Sequence, residues 1–138
     1  MENRHMNWID WYQSLLKPGW TPAPSTISLI WQILYPIIAI SFGYVFVQIW
    51  RGKLPKSMAV PFAINLIANL SFTPLLFGLK NLLLATLDIL LVWSTILWIM
   101  IVIWPRFRWV ALMQVPYFVW VSVATGLQIS IFWMNRGS

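Results

Sequence analysis

The chain has 138 residues, 60% of them hydrophobic and only 9% charged, with a mean hydropathy of +0.76; that balance excludes a water-soluble domain of this size. A pI of about 10.2 would suit nucleic-acid binding, but the nine basic residues stand singly or in small groups beside apolar runs. In that position they flank a membrane, and no nucleic-acid partner is expected.

From the N-terminus, "MENRHMNWID" is polar and lacks the apolar core of a signal peptide, so nothing there reads as cleavable and insertion falls to the first spanning helix. His5, the sole histidine, sits on this polar end and reads as a solvated residue rather than a haem ligand. Residues 7–17, "NWIDWYQSLLK", are too short and polar to span. They nevertheless place Trp8, Trp11, Tyr12, Leu15 and Leu16 at helix-like spacing, which predicts an interfacial helix or lid within residues 1–25.

Apolar runs follow at 26–50, 57–79, 81–104 and 108–134, each long enough to cross a hydrocarbon core of about 30 Å. Their separators, "RGKLPK", "GLKN" and "PRF", permit only antiparallel returns. The expected fold is an all-α integral membrane protein, a four-helix antiparallel bundle forming one domain over residues 1–138. Arg51, Lys53, Lys56, Arg106 and Arg108 gather at one end, against Lys17, Lys80 and Arg136 at the other; the excess places the first end in the cytoplasm and both termini outside. With no cysteine there is no disulfide framework and no thiolate chemistry.

The eleven tryptophans divide into two groups. Trp8, Trp11, Trp20, Trp50, Trp104, Trp109 and Trp133 lie near span ends, where indoles form interfacial belts. Trp31, Trp93, Trp98 and Trp120 lie within spans. Core packing explains any one of these, whereas two facing a shared cavity make a slot for a flat aromatic ligand.

Asn65 and Asn69 stand four apart on the second span and share a face, which reads first as glue between helices. Asp88 is the only carboxylate within any span, and no basic residue lies inside a span to pair with it. Two readings stand for it: a proton-handling site, or a neutral acid hydrogen-bonded to Asn, Ser or Thr. Pro36, Pro61, Pro74 and Pro116 are expected to bend their spans and leave room between them. Small-residue pairs Ala39/Gly43, Ala59/Ala63 and Ser122/Gly126 are expected to let backbones approach. On the fourth span Pro116, Trp120 and Ala124 follow at four-residue steps on one face, with the alanine leaving space beside the ring. No metal-ligand cluster, phosphate-binding glycine loop or hydrolase nucleophile is visible.

In order along the chain, "WYQSLLKPGWTPAP" with "IWQILY", "NLIANLSFTPLLFG" with "ATLDILLVW", and "VPYFVWVSVATGLQ" with Asn135 after it resemble the TspO/MBR family of tryptophan-rich sensory and translocator proteins. The resemblance implies a pocket roofed by the loop carrying Trp11, Tyr12, Lys17, Pro18, Trp20, Thr21 and Pro22. It implies porphyrins such as protoporphyrin IX and haem as ligands, with no obligatory cofactor. It also implies a light- and oxygen-dependent porphyrin degradation using Trp31 and Trp120, in a pocket lined or shaped by Tyr12, Asn65, Asn69 and Ala124.

Three departures stand out. The family's first spanning helix precedes the "WY" motif, whereas ten residues precede Trp11 here; that helix is expected to be missing, with a homodimer covering the flank. Phe72 stands where relatives have Trp, and Gln128 where they have Asn. Tyr117 lacks the nearby Lys or Arg of a sterol-recognition pattern, so sterol binding is not favoured. Outside the resemblance, the same composition fits a small proton-coupled four-helix transporter working through Asp88, or a regulatory or lipid-binding membrane subunit.

Overall fold

The computed structural model describes residues 8–135, with side chains from residue 10 onward; His5, Arg136 and the Trp8 side chain lie outside the described part. A short helix α1 (Trp8–Ser14) is followed by four long ones: α2 (Pro24–Trp50), α3 (Ala59–Thr73), α4 (Leu82–Ile103) and α5 (Arg108–Asn135). With its flanking turns α3 extends over Lys56–Gly78, so four helical segments among the described residues are long and apolar enough to cross a membrane. Large apolar side chains such as Ile40, Ile67, Leu70 and Ile101 stand exposed along their outer faces, as lipid-facing positions require. The protein is an integral membrane protein built as an all-α bundle.

Local signals set the helix ends. Pro24 opens α2, where its missing N–H is no loss. Gly52, at a φ of 78°, follows the end of α2; its N–H donates to the Ile49 carbonyl and the next N–H, from Lys53, to that of Gln48, the paired bonds of a left-handed helix stop. Asn81 caps α4 by accepting from the Leu84 N–H at 3.0 Å.

The four prolines behave differently from one another. Pro36 and Pro116 lie inside uninterrupted α2 and α5. Pro61 falls in the first turn of α3, where it removes no helical hydrogen bond. At Pro74 the α-helix gives way to one wide π-helical turn over Pro74–Gly78, closed by the Leu79 N–H on the Pro74 carbonyl. Among the four, Pro74 is the one at which the helical pattern itself changes.

Around the bundle the helices run α2, α5, α4, α3. The helices α2 and α3 are joined by a short turn and pack together near it, where Phe62 takes the edges of Phe42 and Phe46 at 4.9 and 6.1 Å. Farther along, the two diverge and leave a cleft. The small residues do not close it: Ala39, Gly43, Ala63, Ser122 and Gly126 are exposed, and a Cβ at Gly43 or Gly126 would meet nothing within 4 Å. Within the chain these positions are not close-approach seams.

Polar pairs stitch the interior, as burial in lipid demands. Gln114 donates to Ser41 Oγ at 2.9 Å, tying α5 to α2. Asn65 donates to Thr95 Oγ1 at 2.9 Å, tying α3 to α4. Gln128 donates to Thr86 Oγ1 at 3.2 Å, so its amide crosses from α5 to α4.

Candidate functional site

Two neighbouring cavities occupy the end of the bundle beneath α1. The first, about 340 Å³, opens into the cleft between α2 and α3 and is lined by Trp31, Gln32, Tyr35, Asn69, Phe72 and Phe77 among others. The second, about 100 Å³, is walled by Tyr12, Phe72, Phe77, Trp120, Ala124 and Gln128 among others. Phe72 and Phe77 line both, so Trp31 and Trp120 face adjoining spaces and not one slot. The division follows from the wide turn after Thr73, which sets Phe77 in the same gap as Phe72.

The two rings are held differently. Trp31 is half-buried, stacks on Tyr35 at 5.2 Å one helical turn along, and meets the edge of Tyr117 at 6.3 Å. Trp120 is buried, and its Nε1 has no hydrogen-bond partner among the described residues. An indole N–H kept dry and unbonded is a donor available to whatever enters the space. Ala124, one turn beyond, leaves that wall open.

Asn69 reaches the first cavity as part of a relay. Tyr117 Oη donates to Asn65 Oδ1 at 2.9 Å and accepts from Asn69 Nδ2 at 2.7 Å, while Tyr35 Oη donates to Asn69 Oδ1 at 3.3 Å. Asn65, wholly buried, spends its other bonds on Thr95 and the Val92 carbonyl; it braces the site without lining either cavity. Tyr35 and Tyr117 are the residues that sequence reasoning passed over. The available signal was spacing, since Tyr35 lies four residues from Trp31 and Tyr117 three from Trp120.

The roof is α1 and the segment after it. Trp11 and Tyr12 are buried against Leu76, Ala85, Leu127 and Ile131, so Trp11 packs under the lid and does not serve as a belt residue. Tyr12 meets the edge of Phe77 at 5.7 Å, and burial raises its phenol pKa. Lys17 caps the end of α1 by donating to the Tyr12 and Leu15 carbonyls at 2.8 and 3.1 Å, with its ammonium 4.9 Å from the Tyr12 ring centre. From the far end of α5, Asn135 closes the roof: its Nδ2 donates to the Leu16 carbonyl at 2.8 Å and its Oδ1 accepts the Leu16 N–H at 3.1 Å. Trp20 is 55% exposed and lines neither cavity.

Asp88 also lies outside both linings, partly buried on α4, with Oδ2 enclosed and without a hydrogen-bond partner among the described residues. Pro116 faces outward on α5, so its step in the Pro116, Trp120, Ala124 series is not part of the wall.

Comparison with known proteins places these features. The chain is 42% identical over 87 residues to the tryptophan-rich protein TspO of Bacillus cereus, covering 63% of this chain and 56% of that protein. It is 38% identical over 126 residues to the uncharacterized membrane protein YtaB of Bacillus subtilis, covering 91% and 81%. To the translocator protein of Bos taurus it is 36% identical over 86 residues, covering 59% and 48%. The chain thus spans about half the length of two of these relatives and four fifths of the third. The model of the TspO/MBR family matches residues 2–134, which take in the lid, both cavities and the asparagine–tyrosine relay: the chain belongs to the TspO/MBR family.

Proposed function

We propose that the protein binds a tetrapyrrole, protoporphyrin IX or haem, in the space beneath the lid, with Trp31 and Trp120 packing on the macrocycle. The observation that carries this reading is the pair of aromatic-walled cavities that share Phe72 and Phe77 as lining. Rotation of those two rings merges them into a volume within the range of small-molecule sites, about 300–1,000 Å³. Aromatic walls suit a flat apolar ring system, and the unbonded Trp120 Nε1 supplies one polar anchor. The tetrapyrrole is a ligand here, and no obligatory cofactor enters.

Catalysis is a further step on the same site: in light, with molecular oxygen as oxidant, Trp31 and Trp120 take part in degrading the bound porphyrin. Titrating purified protein with protoporphyrin IX in darkness is expected to quench its tryptophan emission at micromolar ligand; no quenching ends the binding reading. Under illumination, Trp31→Phe with Trp120→Phe is expected to abolish porphyrin bleaching. Bleaching at the parental rate removes the catalytic step and leaves binding intact.

The enclosed, partnerless Asp88 Oδ2 favours a second reading, a proton-coupled exporter working through that acid. Efflux from vesicles driven by a pH gradient and lost in Asp88→Asn would support it, and absence of any proton-driven flux would remove it.

The partner and the membrane belong to the same proposal. Gln32 and Thr73 are exposed at the mouth of the α2–α3 cleft, and beyond the bond from Gln32 to Ser28 Oγ lipid offers their polar groups no hydrogen bonds; a second copy of the chain covers them in a homodimer. The bacterial relatives support placement in a bacterial inner membrane, while the excess of basic residues from Arg51 to Arg108 is what favours that end in the cytoplasm and both termini outside.

A further inference from the structure

At the end of the bundle away from the lid, a separate groove of about 360 Å³ runs between α4 and α5, lined by Met100, Ile101, Trp104, Ala111, Leu112 and Val115. Every lining side chain is apolar except for the indole N–H of Trp104, and Ala111 forms a narrow floor between bulkier walls. Ile101, Leu112 and Val115 are exposed, so the groove faces the bilayer.

Its mouth is cationic. Arg108 holds its guanidinium 5.3 Å from the Trp104 ring centre, which fixes the charge over the wall of the groove. Arg106, also exposed, lies on the same turn, whose N–H groups at Arg106 and Phe107 fold back on the Ile103 carbonyl. Among the described residues the carboxylates are Asp10 on α1, at the opposite end, and Asp88 inside α4. None lies at this end to neutralise the arginine pair.

We propose that this groove is a binding site for one anionic phospholipid of the cytoplasmic leaflet, its phosphate held by Arg106 and Arg108 and one acyl chain lying between Trp104 and Val115. An apolar trough that ends beneath the Arg108 guanidinium, with Arg106 exposed on the adjoining turn, matches the two halves of such a lipid in the order in which they occur along the membrane normal. Arg suits the phosphate because its planar fork bonds two oxygens at once. The site is independent of the tetrapyrrole reading and lies at the other end of the molecule from the lid.

The test is native mass spectrometry of the purified protein titrated with phosphatidylglycerol and with phosphatidylcholine of identical chains. The parent is expected to retain phosphatidylglycerol more tightly. Arg106→Gln with Arg108→Gln is expected to weaken that lipid about twenty-five-fold, taking each cation near an anionic headgroup at about fivefold. Arg51→Gln with Lys53→Gln removes the same charge from the same end and is expected to change retention by less than about threefold. Val115→Trp, which fills the trough, and Leu112→Gln, which makes its wall polar, are expected to weaken both lipids. Equal retention of the two lipids by the parent, or equal losses from the two charge pairs, overturns the headgroup site. Unchanged retention in both Val115→Trp and Leu112→Gln overturns the acyl groove.

Discussion

From α5, Tyr117 joins two other helices of the bundle. One hydroxyl serves two asparagines four residues apart on α3, while its ring takes Trp31 from α2. Hydrogen bonds between side chains in membrane bundles average about 0.6 kcal/mol. Tyr117→Phe keeps the ring and removes two of them, so a loss of about 1 kcal/mol is expected as a lowered melting temperature in detergent. Asn65→Leu removes bonds to Tyr117, Thr95 and the Val92 carbonyl and is expected to be more damaging, by about 2 kcal/mol in all. Asn69→Leu separates stability from binding: it lines the first cavity, so tetrapyrrole affinity is expected to change alongside the melting temperature, whereas Asn65→Leu acts on the fold.

The lid is an element whose attachment has two unequal parts. Asn135 contributes two hydrogen bonds to the Leu16 backbone, partly exposed to competing water. Trp11 contributes a buried indole, and removing such a side chain from water is favourable by about 1.5–3 kcal/mol. Asn135→Ala is therefore expected to speed amide exchange at Leu16 while Trp11 and Tyr12 stay docked. Trp11→Ala is expected to open the whole of Trp8–Ser14 to exchange and to protease. If Asn135→Ala releases the segment as fully as Trp11→Ala, the polar clamp and not burial holds the roof.

For the molecule as a whole, the asymmetry of the bundle directs the test of assembly. The α2–α3 side carries exposed polar groups and an open cavity, whereas the outer face of α4 presents apolar residues such as Ile101. The chain has no cysteine, so single introduced thiols report contacts cleanly. In native membranes Thr73→Cys is expected to form a disulfide-linked dimer and Ile101→Cys none. Monomers from both variants would count against a second copy on the cleft.

Much of the architecture was legible in the chain because lipid simplifies the problem. A backbone that must satisfy its own hydrogen bonds in hydrocarbon becomes helix wherever about 20 apolar residues run together, and short polar separators leave only antiparallel returns. The cavity residues Trp31, Asn69, Trp120 and Ala124 could be singled out because each is a large, polar or small exception on an apolar stretch. Composition could not say which way α2 would lean, since its apolar residues are spread around the helix and packing against α5 suits it as well as packing against α3. Folding also chose the destinations of individual side chains: Trp11 went under the lid, Trp20 to the surface, Asn65 into a brace and Phe77 between two cavities. Those outcomes depend on distances between residues far apart in the chain, such as Tyr117 and Asn65 or Asn135 and Leu16, which hydropathy and helical spacing do not encode.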